Sequence, residues 1–103
     1  MINITMQTEF VKIKFDVYCD WRDTPPVYRI FVNDELFVER TYIWRDEYLS
    51  EMLQISAPPG QYKIQLKPLH KKTGKIRVEN RTIDHGPGRW IDNETVEITN
   101  AST

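Results

Sequence analysis

The chain has a single cysteine, Cys19, so no intrachain disulfide can form, which fits a reducing compartment or a particle assembled in one. Charge of neither sign is in excess. Its 14 basic and 15 acidic side chains leave a net charge of -1, which provides no global field to gather nucleic acid or an anionic membrane surface. Long apolar runs are missing as well. With 40% hydrophobic and 28% charged residues the composition is that of an ordinary soluble globule, with no signature of disorder or of a membrane span. The opening stretch from Met1 to Glu9 lacks the basic head and the apolar run of about seven residues that a signal peptide needs, so no secretory route is expected.

What is present is strand pattern. The 103 residues suit one domain spanning 1–103, and a domain of that size buries roughly two-thirds of the surface of its unfolded chain. The stretch from Val27 to Trp44 sets two β-rich runs around Asn33-Asp34, residues that tolerate the positive φ of a tight hairpin turn. Its first arm puts Tyr28, Ile30 and Val32 on one side and Arg29 and Phe31 on the other; aromatics on both leave the core-facing side open. Val11, Ile13, Phe15, Val17 and Cys19 alternate with polar residues, apart from Tyr18, through 10–21, until Pro25-Pro26 stop the ladder. The segment 48–56 is read as a strand although Leu49, Met52 and Leu53 also fit helical spacing and Glu51 breaks the alternation. Further strands follow around Tyr62 to Leu66, Lys75 to Asp84 and Glu94 to Asn100, with His85 to Asn93 read as one long loop. About seven strands joined by turn chemistry predict an all-β, antiparallel two-sheet β-sandwich, jelly-roll or immunoglobulin-like. The expected core is Val11, Ile13, Phe15, Val17, Ile64, Leu66, Ile76 and Val78.

Pro59-Gly-Gln-Tyr-Lys-Ile64 and Ile76-Arg-Val-Glu-Asn-Arg-Thr-Ile83 resemble the paired late strands of jelly-roll carbohydrate-binding modules. A longer stretch, Tyr28 to Leu66 through Val32-Asn-Asp-Glu-Leu36 and Ile55-Ser-Ala-Pro-Pro-Gly60, is similar to short proteins of marine tailed phages that infect cyanobacteria. The second likeness implies a virion or accessory role, in the particle or in the host cytoplasm during assembly, and no particular chemistry. The carbohydrate-binding likeness implies a glycan ligand, but those modules usually carry a secretion signal and an attached enzyme.

The most pointed feature is a repeated tripeptide, Trp21-Arg22-Asp23 and Trp44-Arg45-Asp46, each at a strand end. If strands alternate in direction, both repeats meet at one end of the sandwich with His70-Lys71-Lys72, while His85, Arg89 and Trp90 lie at the other end with Asn33 and Pro58. Indoles beside Arg and Asp suit a sugar ring or a protein partner's side chain. The plainer reading has the indoles capping the core and the Arg-Asp pairs making local turn contacts. Asp20, Asp23, Asp46 and Glu47 offer oxygen ligands at the same end but lack the spacing of a calcium loop, and no metal is assigned. His85-Gly-Pro-Gly88 opens no helix and carries no Lys-Ser/Thr, so it is not a phosphate loop. His70, His85 and Cys19 fall too far apart for a nucleophile, base and orienting group to converge, so neither enzymatic activity nor a cofactor is expected. The expected role is a structural module contacting identical subunits or a larger virion protein, with a glycan-binding module as the alternative.

Overall fold

The structure, a computed structural model, describes residues 8–21, 24–43, 47–69 and 75–100. It contains eight strands: β1 (Glu9–Asp20), β2 (Val27–Val32), β3 (Glu35–Thr41), β4 (Leu49–Ala57), β5 (Gly60–Pro68), β6 (Lys75–His85), β7 (Gly88–Trp90) and β8 (Thr95–Ile98). They form two antiparallel sheets, a three-stranded one ordered β4-β1-β6 and a five-stranded one ordered β3-β2-β5-β8-β7. Among the described residues no helix is long and apolar enough to cross a membrane.

The alternation of β1 puts Val11, Ile13, Phe15, Val17 and Cys19 on the inner face of the three-stranded sheet, all buried. Leu53 and Ile55 from β4 join them, facing Tyr28 and Ile30 of β2, Ile64 of β5 and Val96 and Ile98 of β8 in one cluster shared by both sheets. The hairpin's core side is therefore Tyr28 and Ile30, and Arg29 and Phe31 look outward. Asn33 and Asp34 take φ of 49° and 69°, the paired positive values that a two-residue hairpin turn requires. Asn33 also ties the turn to β5: its Oδ1 accepts from Lys63 N at 2.7 Å, and its N–H donates to Lys63 O at 2.9 Å.

Residues 49–57 are strand, in unbroken register with β1 from Val17↔Leu49 to Glu9↔Ala57. Glu51, which broke the apolar pattern, points inward and is only 2% exposed. Its Oε2 accepts from the Tyr28 hydroxyl at 2.7 Å and from Arg40 Nε at 2.8 Å, so the carboxylate joins the sheets with its hydrogen-bonding met. At the end where β1 stops, Tyr42 is fully buried, and its hydroxyl donates to the Glu47 carbonyl and is bonded to the Cys19 backbone.

Two expectations change. The stretch 85–93 is not one loop: Gly86 turns the chain at φ 93°, where a Cβ would run into the Phe10 carbonyl oxygen, and 88–90 then pairs with β8 as β7. Of the expected core, Leu66, Ile76 and Val78 are only half-buried, because β6 is an edge of the narrower sheet and leaves part of β5 uncovered.

Candidate functional site

The alternating traversal brings the ends of β1, β3 and β5 together, as the pairings Asp20↔Lys75, Val27↔Thr41 and Tyr28↔Pro68 require. Trp21 lies at this end, half-buried against the core. Arg22, Asp23, Trp44, Arg45 and Asp46 lie outside the described residues, as do His70, Lys71 and Lys72, so the meeting of the two tripeptides is not described. The same end carries an aromatic and cationic stack that the repeats did not signal. Tyr18 and Tyr48 stand 5.4 Å apart, and the Arg77 guanidinium sits 4.7 Å over the Tyr18 ring. Asp20 and Glu47 are exposed there, and no group of three or more His, Cys, Asp or Glu among the described residues is arranged to hold a metal ion.

Trp90 lies toward the far end, level with Asn33: it pairs with Val96, which pairs with Tyr62, beside the Lys63 to which Asn33 is bonded. Its indole turns inward against the core, edge-on to Phe15 at 6.3 Å, and its Nε1 donates to Thr82 O at 2.9 Å. It lines a cleft of about 260 Å³ between β5 and β6 whose apolar wall includes Ile64, Leu66, Ile76 and Val78. Arg81, Asn93 and Glu94 form its polar border, and Arg81 is held by donation to Asn93 O at 2.9 Å and Val78 O at 3.1 Å. Nearby, the Glu94 N–H donates to Asp92 Oδ1 at 2.8 Å and, with Thr95, holds that carboxyl below its ordinary range.

Of the groups considered for catalysis, Cys19 and His85 do not meet, and His70 lies outside the described residues. Cys19 is buried, and burial, with Asp20 adding to it, pushes its thiol up, away from the reactive thiolate. His85 sits opposite Lys12 at the other end of β1, with its ring 6.1 Å from Phe10.

The second arm of the 27–44 hairpin is an exposed edge strand, and β4 is another. β3 and β4 are edges of different sheets, and Arg40 of β3 reaches across to Glu51 of β4. Leu36 and Phe37 are 57% and 44% exposed on β3, and Met52 is 46% exposed on β4. The outward parity of 49–57, Ser50, Met52, Gln54 and Ser56, was readable as uncharged, but nothing local marks that strand as an edge. Comparison of the chain with protein-family models, with curated proteins and with solved structures finds no match.

Proposed function

We propose that the chain is a non-catalytic structural or accessory module, a small virion-associated protein of a tailed phage that decorates a capsid or belongs to a tail. It contacts identical subunits or a larger virion protein, and it works without nucleic acid, membrane or cofactor. The observation that carries this reading is the pair of open edge strands with exposed apolar side chains, β3 with Leu36 and Phe37 on one sheet and β4 with Met52 on the other. Open strand edges offer unpaired N–H and C=O groups, and apolar side chains beside them favour a protein contact over solvent. The likeness of the stretch from Tyr28 to Leu66 to short phage proteins supports the setting, and the buried Cys19 thiol supports the lack of catalysis. Gradient-purified particles of the phage that encodes the chain should contain it in a fixed ratio to the major structural protein. Recovery of the chain only in the particle-free fraction would overturn the reading.

A glycan-binding module is the second reading, and the cleft beside Trp90 favours it. An apolar wall with an indole and a border of Arg81, Asn93 and Glu94 has the mixed character of a sugar site, at about 260 Å³. Glycan-array binding that disappears in Trp90→Ala would support it.

A further inference from the structure

We infer that the chain forms a two-fold dimer by antiparallel pairing of β4 with β4 of a second copy, joining the two three-stranded sheets into one of six strands. This rests on the reading of the chain as a structural module and names its first partner. The starting point is how each sheet edge is protected. β3 carries Glu35, Glu39 and Arg40 and has a register shift between Ile30 and Phe31, the charges and irregularity that keep an edge from pairing. β7 has only three residues. The free side of β6 is approached by the β7 region, through Trp90 Nε1 to Thr82 O and Arg81 Nε to Asn93 O, each at 2.9 Å.

Among the described residues β4 has none of these protections. It runs nine residues without proline and without a break in its register to β1. Its outward side chains, Ser50, Met52, Gln54 and Ser56, are uncharged in a chain that is 28% charged, and its one ionisable residue, Glu51, is turned inward and bonded. Such an edge has nothing to attract a charged partner, and it lacks the like-charge clash that keeps most strands from their own copies. Centred on Leu53, antiparallel self-pairing sets Met52 against Gln54 of the second copy and Ser50 against Ser56, each contact occurring twice, as a two-fold interface requires. The nearest outward charges, Lys12, Lys14 and Asp16 on β1, stay about 14 Å from those on the second copy's β1, three strand spacings and beyond the Debye length of physiological salt.

Sedimentation equilibrium of the purified chain should show a monomer–dimer equilibrium. The double variant Met52→Lys/Gln54→Lys places lysine opposite lysine twice and should weaken the dimer roughly thirtyfold. Both positions are exposed, so its far-UV circular dichroism should match the parent. Met52→Lys/Gln54→Glu sets lysine against glutamate and should restore the dimer. An undiminished dimer in the lysine pair overturns the pairing, and loss in both variants overturns the register. A strict monomer that still enters particles overturns this inference and leaves the proposed function standing; a dimer absent from particles does the reverse.

Discussion

At the scale of single residues, the contact most open to test is Glu51, a carboxylate set among apolar side chains where Tyr28 and Arg40 supply its donors. Its partners differ in how freely they can leave. Arg40 is 41% exposed and can turn to water, whereas Tyr28 is wholly buried, and burial together with its bond to Glu51 raises its pKa so that it stays a neutral donor. Replacing Glu51 by Leu therefore strands the Tyr28 hydroxyl and should cost about 1 to 3 kcal/mol. Adding Tyr28→Phe should recover part of that loss, because no buried donor then lacks an acceptor. Urea denaturation of the two single variants and the double variant measures the coupling; strict additivity would show that the hydrogen bond does not contribute. Sequence pattern made Glu51 look like a fault in a strand, since the residues that satisfy it are 23 and 11 positions away.

At the scale of elements, long strands were legible and short or irregular ones were not. Twelve residues of β1 give alternation room to show, β4 stayed open between strand and helix because Glu51 breaks its pattern, and Asn33-Asp34 names its turn by chemistry alone. The three residues of β7 cannot display a period, and what makes them a strand is the close passage of Gly86 beneath β1. The candidate surfaces divide in the same way. Trp21 and Trp90 could each be assigned to an end from sequence, but the cleft that Trp90 lines depends on β7, and the edge position of β4 depends on pairings tens of residues apart. Gly86→Ala tests the β6–β7 turn: a Cβ forced against the Phe10 carbonyl at positive φ should cost about 2 kcal/mol or more. Amide exchange should quicken first at Gly88 and Trp90. Wild-type exchange rates there would mean the turn relaxes without strain.

At the scale of the whole molecule, β1, the first of the described strands, is the central strand of its sheet, flanked by β4 and β6. None of its partners is a sequence neighbour, so the hydrophobic face of Val11, Ile13, Phe15 and Val17 stays uncovered until residues up to His85 are in place. Such non-local pairing predicts folding in milliseconds to seconds rather than microseconds. The cluster is common to both sheets, and the Tyr28–Glu51 bond crosses between them, so the sheets should unfold together. Ile13 sits where this can be tested, because it is fully buried and its strand neighbours are Leu53 on one side and Ile83 on the other. Ile13→Ala should cost about 2 to 5 kcal/mol. In a background where Trp21→Phe and Trp44→Phe leave Trp90 as the sole indole, far-UV circular dichroism reports the strands and fluorescence reports the packing of Trp90 on Phe15. If one core serves both sheets, Ile13→Ala moves the two denaturation midpoints by the same amount and keeps the curves superimposed. A Trp90 transition that separates from the strand transition would instead mean that the β7–β8 side of the five-stranded sheet opens independently, and that the cleft beside Trp90 is a mobile seam between two weakly joined layers.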